Sequence, residues 1–306
     1  MKLRPVLVAL LAATSSFASA ADSDIEAALA RPGNSISPDI ADLIELAARH
    51  RVVVLGETHG KREPAALLVE LMQGLHHNAG YSYVALEGHE DRQVFVDQYL
   101  AGVDDDRALR RTLLGPELAQ VLVVARRLNR EYPQRKSLRV LLIDGPSSWN
   151  VSTLEQTRDQ RMFRHLRRVL DSDPAARILV YVGNSHTTEN LQLLDGAEGP
   201  GHRQDEFVLP AFRVAHLLEL YSKGSSLSVR TVDPEDPIGR ALKGRFGQQR
   251  KRLFIRVDGT PLENVTGCIE PGGSWNAALR DAPLGKFVDY LVAFEGLTPT
   301  SELASP

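Results

Sequence analysis

A histidine stands two residues beyond a glutamate in the segment Gly56-Glu57-Thr58-His59-Gly60. Imidazole is the side chain whose proton moves near neutral pH, and a nearby carboxylate can orient it as a general base. Glu63, a little further on, is a second candidate for that orienting role. Three more segments offer groups of the same kind: Glu87-Gly88-His89-Glu90, Asp144-Gly145 and Gly183-Asn184-Ser185-His186. Each follows an apolar run at once, and each carries a glycine.

Those apolar runs read as strands: 51–55, 81–86, 138–143 and 178–182. They are nearly continuous in Val, Leu and Ile, as expected of strands covered on both faces. Helical patterns lie between them. Pro64 opens one, with Leu67, Leu68, Leu71, Met72 and Leu75 at helical spacing. Another fills much of 91–132, and Ser152 to Glu155 forms a capping box for a third that runs to about Leu170. Strand–helix–strand alternation predicts an α/β fold: a mostly parallel central sheet with helices on both faces. The carboxyl ends of all four strands then share one edge, where ligands of open α/β sheets bind. Runs at 227–232, 253–257 and 290–294 read as further strands.

Arg158 falls on the apolar stripe of its helix with Leu154, Met162 and Leu166, so it should face inward. A guanidinium taken out of water needs a carboxylate. Glu57 and Glu87 are the natural partners. Arg161 lies at the margin of the stripe, where a long side chain can reach water.

Other patterns exclude more than they suggest. Gly56 to Lys61 is one residue short of a phosphate loop, with Arg62 where a Ser or Thr should hold magnesium. No Gly-x-Ser-x-Gly is present. Cys268 is the single cysteine, so an intrachain disulfide is impossible; it reads as a small buried apolar residue. The first residues have a positive start (Lys2, Arg4), an apolar run from Val6 to Ala13, and Ala18-Ser19-Ala20 before Ala21. That is the order of a cleavable signal peptide, so the mature chain is expected outside the cytoplasm, periplasmic or secreted. The full chain of 306 residues carries a net charge of −3. It becomes about −5 once Lys2 and Arg4 are gone, which argues against a general nucleic-acid binder. Arg240 to Arg252 holds six basic residues and no acidic one, but it lacks interleaved aromatics and reads as a solvated surface. No stretch beyond the signal is long and apolar enough for a membrane span. The expected division is a signal peptide at 1–20, a lead-in at 21–48, one α/β domain at 49–297 and a loose end at 298–306.

Taken in order, Gly56-Glu57-Thr58-His59-Gly60 with Glu63-Pro64, Leu86-Glu87, Arg158-Asp159-x-x-Met162 and Gly183-Asn184-x-His186 resemble the erythromycin esterase, ChaN-like and Tiki/TraB superfamily. The end of the chain, Phe287 to Pro299, is similar to its exported bacterial members. The resemblance implies a shared site at Glu57, His59, Glu87, Arg158 and His186, with Glu63 matching a subset. It implies three chemistries. In a hydrolase of ester or amide bonds, His59 is general base, Glu57 or Glu63 orients it, Arg158 holds a carboxylate or an oxyanion, and His186 completes the site; the substrate is a small molecule or a peptide. In a metal-dependent variant, His59, His186, Glu57 and Glu87 hold a divalent ion such as Mn, Co or Zn. In a haem-binding protein linked to iron uptake, His89 or Tyr99 is the axial ligand. The residues Gly88-His89-Glu90 match no one branch.

Overall fold

The computed structural model describes residues 20–103, 105–146, 158–187, 213–222, 225–247, 251–268, 282–286 and 288–301. In chain order the main elements are α1 (Ala20–Ala30), β1 (Ile36–Ser37), α2 (Ile40–Ala47), β2 (Val52–Glu57), α3 (Arg62–Ala79), β3 (Tyr83–His89), α4 (Gln93–Ala101), α5 (Asp105–Arg111), α6 (Pro116–Glu131), β4 (Arg139–Asp144), α7 (Arg158–Ser172), β5 (Ile178–Gly183), α8 (Val214–Ser222), β6 (Ser226–Val232), α9 (Pro237–Leu242), β7 (Arg252–Arg256) and β8 (Tyr290–Phe294). The signal segment up to Ser19, the capping box at 152–155 and Phe287 lie outside the described residues.

The strands form one eight-stranded sheet in the order β1-β7-β8-β6-β2-β5-β3-β4. From β8 to β4 every neighbouring pair is parallel, and β7 runs against both β8 and β1. Alternation along each strand sends side chains to two covered faces. On one face Leu55, Leu86, Tyr181, Val229 and Phe254 pack with Leu43 of α2, Leu71 of α3, Val96 of α4 and Leu122 of α6. On the other, Val54, Ala85 and Val180 meet Met162 and Leu166 of α7 and Leu218 of α8. At the far end of the sheet, Ile255 and Leu291 meet Ile25 and Leu29 of α1 and Ile238 and Leu242 of α9. The mostly parallel α/β architecture expected from the sequence is the one observed.

Two boundaries differ from the sequence reading. The lead-in is built into the domain: Ile25 and Leu29 are buried, and β1 pairs with β7. Residues 298–301 are tied down rather than loose. The Thr298 N–H donates to Glu63 and its carbonyl accepts from Arg62, the Thr300 N–H donates to Gly60, and the Ser301 N–H donates to Glu117. Extended chain ends are ordered when their backbone groups find partners.

Candidate functional site

The strands reach further than their apolar runs. β2 ends on Glu57, β3 continues through Glu87 to His89, and β5 ends on Gly183. Glu57 and Glu87 are therefore fixed by sheet geometry rather than hung on turns. β5 lies between β2 and β3, with Gly183 directly beside Glu57. Between Leu86 and His89 the register of β3 against β4 slips. Such a bulge re-aims a side chain at the end of a strand. It falls on Glu87-Gly88, where the matched Glu87 gives way to the segment Gly88-His89-Glu90 that fits no one branch.

His59 bridges the two carboxylates. Its Nδ1 lies 2.5 Å from Glu57 Oε1 and its Nε2 lies 4.0 Å from Glu87 Oε1. The ring passes over the end of β5, and a Cβ at position 183 would sit 2.6 Å from His59 Nε2. Glycine there lets the ring lie this close to the strand. The Gly183 N–H in turn donates to Glu87 Oε2 at 2.6 Å. Gly56 has a similar cause: its missing Cβ leaves room for Asn184 and Thr187. Asn184 Nδ2 donates to the Thr231 carbonyl at 2.9 Å and to Thr58 Oγ1 at 3.4 Å, tying the turn after β5 to the loop that carries His59.

Arg158 pairs with Glu87, Nη2 to Oε1 at 2.6 Å, and not with Glu57. Its second carboxylate is Asp144 at the end of β4, reached by Nη2 at 2.7 Å and Nε at 3.1 Å. The other guanidinium nitrogen, Nη1, is not used in these bonds. Arg161 pairs with Glu90 at 3.2 Å instead of reaching for water. His186 is buried. Its Nδ1 lies 2.8 Å from Asp159 Oδ1, and its Nε2 lies 3.6 Å from Glu87 Oε1. Arg213 stands 3.4 Å from the other oxygen of Asp159.

Electrostatics divide these groups into fixed charges and one movable proton. Burial pushes the Glu87 carboxyl up, but His186, the Gly183 N–H and Arg158 outweigh it and hold it at about 2. Burial pulls the His186 imidazole down, yet Asp159 and Glu87 raise it to about 9. His186 is thus an imidazolium at neutral pH. For His59, the hydrogen bond to Glu57 raises the pKa above the ordinary histidine value, against burial. Its side chain is 66% exposed, while that of Glu57 is 8% exposed. His59 is the titrating group that faces solvent.

The other candidates lie apart from this arrangement. The Glu63 carboxylate is taken by the Thr298 N–H at 2.8 Å, so Glu57, not Glu63, orients His59. Tyr99 is buried in the core, its ring beneath the guanidinium of Arg126. Its hydroxyl is not offered to a haem iron. His89 is exposed, with Nδ1 donating to the Gly145 carbonyl at 3.0 Å. Among the described residues no group of three or more His, Cys, Asp and Glu is arranged to hold a metal. The donor set explains why. Glu87 is already paired with Arg158, and His186, between Asp159 and Glu87, is raised to about 9 and so holds its proton. Metal ligands must be deprotonated. The arrangement does not fit a divalent ion.

Sequence reasoning put Asp144 on this edge without giving it a partner, and it assigned no role to Asp159 or Tyr181. Asp159 follows Arg158 directly and Asp144 ends an apolar run, so both had a local signal. Tyr181, whose hydroxyl pKa is pushed up by burial and by the nearby charge of Glu57, lay hidden inside an apolar run.

No family model matches the chain, and no curated protein matches it. Solved structures do. One is a Bacillus cereus protein, with 14% identity and a TM-score of 0.59, covering 92% of this chain and 98% of that one. A second is a mutant erythromycin esterase in its open conformation, with 11% identity and a TM-score of 0.61, covering 87% and 96%. A third is a succinoglycan biosynthesis protein, with 10% identity and a TM-score of 0.59, covering 93% and 98%. At these identities the likeness is one of fold. It is the fold that the ordered motifs pointed to, over nearly the whole length of each chain.

Proposed function

We propose, on the premise of that fold and this site, that the protein is an exported hydrolase that cleaves an ester or amide bond with its own side chains. The observation that carries the reading is the His59–Glu57 pair: a buried carboxylate holding Nδ1 of an exposed imidazole whose Nε2 faces the strand edge. His59 Nε2 takes a proton from water, and the water oxygen bonds to the carbonyl carbon. Glu57 holds the tautomer and balances the imidazolium that forms. The Nη1 edge of Arg158 is fixed by two carboxylates and offers donors to the developing oxyanion. When the bond to the leaving group breaks, His59 returns the proton to it. His186 is too buried to meet substrate. It acts as a fixed cation that keeps Glu87 ionised, and through it Arg158 in place.

The test uses the mature chain beginning at Ala21, a panel of neutral and charged esters, lactones and amides, and dialysis against a chelator. Turnover should survive the chelator and fall by about a hundredfold or more in His59→Ala. Wild-type turnover in a folded His59→Ala variant, or complete loss on chelation with rescue by Mn, Co or Zn, would overturn the reading. Mass spectrometry of the exported protein should find Ala21 first; an exported form keeping Met1 would remove the cleavable signal.

A further inference from the structure

Among the described residues, the cations closest to the reaction centre are matched to carboxylates. Arg158 has Glu87 and Asp144, His186 and Arg213 share Asp159, and His59 has Glu57. Arg230, on β6 beside Gly56 of β2, has no carboxylate at ion-pair distance among the described residues. It makes one hydrogen bond, from Nη1 to the Asn184 carbonyl at 3.3 Å, and its Nε is buried without a partner. Burial lowers its pKa, and Asp236 opposes that only through its charge at longer range. Yet Arg230 is only partly buried by surface area, while its backbone is closed in between β2 and β8. The guanidinium thus sits at the carboxyl end of β6 with its Nε buried and donors left over. The turn it leans on, Asn184 to His186, is the one that carries His186 of the site.

An arginine taken from water without a carboxylate is a net cost to the fold. A guanidinium is also the side chain best shaped for a carboxylate or a phosphate. We propose that Arg230 is an anion-binding subsite beside the reaction centre, which receives a small oxyanion, a carboxylate or a phosphate, carried on the substrate away from the cleaved bond. The word substrate rests on the hydrolase reading; the binding of an anion does not.

Titration calorimetry on the mature chain decides it, with inorganic phosphate and with monomethyl succinate as probes. The proteins are wild type, Arg230→Gln, Arg230→Lys and, as a control on an exposed cation, Arg245→Gln. At least one probe should bind wild type and Arg245→Gln alike and bind Arg230→Gln about tenfold or more weakly, with Arg230→Lys between them. Whichever probe binds identifies the carboxylate or the phosphate. The same probe should raise the melting temperature of wild type and not of Arg230→Gln. Without a probe, Arg230→Gln should melt no lower than wild type, because an unmatched charge has been removed. Equal affinity in wild type and Arg230→Gln, no binding of either probe to wild type, or a melting temperature several degrees lower in the variant would overturn the subsite. Hydrolysis of monomethyl succinate against methyl butyrate separates the two claims. Esters cleaved through His59 with no role for Arg230 sink the subsite alone. Probe binding that depends on Arg230 with no ester cleaved sinks the hydrolase and leaves the subsite.

Discussion

Both edges of the sheet carry an arginine cluster, and the two differ in what the arginines hold. At the amino ends of the strands, Arg177 donates to the carbonyls of Ala79, Ala48 and His50, with its guanidinium 5.2 Å from the centre of the Tyr81 ring. Arg51 donates to the carbonyls of Ala176, Leu170 and Asp173. Several of these are the last carbonyls of α2, α3 and α7, which a helix leaves without partners. A parallel sheet with returning helices gathers helix C-termini at that edge, and cations suit them there. At the carboxyl ends, Arg158 holds side-chain carboxylates, Glu87 and Asp144. Backbone carbonyls are obligatory and must be satisfied wherever the fold buries them. Converging carboxylates are not required by any fold. At the amino edge Arg51 and Arg177 serve the architecture; at the carboxyl edge Arg158 gathers the carboxylates of the candidate site.

The comparison can be broken by experiment. The largest effect is expected in turnover. His59→Ala and Glu57→Gln should each lose about a hundredfold or more in kcat, with stability changed by roughly 0.5 kcal/mol in His59→Ala because His59 is exposed. A His59→Ala variant that unfolds at much lower temperature would place this edge with the structural one. Next, Arg177→Met should lose about 2–4 kcal/mol, since carbonyls left unpaired cost roughly 1–3 kcal/mol each and do not add fully. Denaturant titration measures it, and turnover per folded molecule should stay at the wild-type level. A stable Arg177→Met protein would show that the amino edge is not structural in the sense argued.

A finer cut falls within the site. Gly183→Ala puts a methyl group against the His59 ring, which is free to swing outward. Turnover should fall by about tenfold or more as the base is displaced, with little change in melting temperature. If turnover is unchanged, His59 does not work from the place it occupies here.

The remaining effects are in pH. His186 has its pKa raised to about 9 when folded, from about 6.5 when unfolded. Its contribution to stability is therefore full below pH 6.5 and is lost as pH rises through 9. Melting temperature should decline across that window, and His186→Gln should flatten the decline. An unchanged alkaline slope in His186→Gln would remove the imidazolium. Turnover should rise with pH as His59 gives up its proton, with a midpoint above the ordinary histidine value. Glu57→Gln should move that midpoint down.

Much of the fold was legible because it is written locally. Four apolar runs of strand length, each ending in a polar residue beside a glycine, gave β2, β3, β4 and β5 and the edge they share. The antiparallel turn of β7 was not legible, because direction depends on which neighbour a strand meets. Arg51 and Arg177 gave no signal either. A basic residue before an apolar run is ordinary, and only packing shows the carbonyls it covers.

The residues of the candidate site, Glu57, His59, Glu87, Arg158 and His186, were singled out by their sequence position: strand end, turn and helix stripe follow from backbone periodicity. Their pairing was decided by the tertiary structure. β5 is inserted between β2 and β3, so His59 lies across Gly183 and reaches both carboxylates. The bulge in β3 accompanies the hold of Arg158 on Glu87, and the end of β4 brings Asp144 as the second partner. The closing segment at 298–301 takes Glu63, and the core takes Tyr99. Spacing along a chain fixes which face a side chain occupies. Strand order and register fix which side chain it meets, and these are set by contacts between residues far apart in sequence.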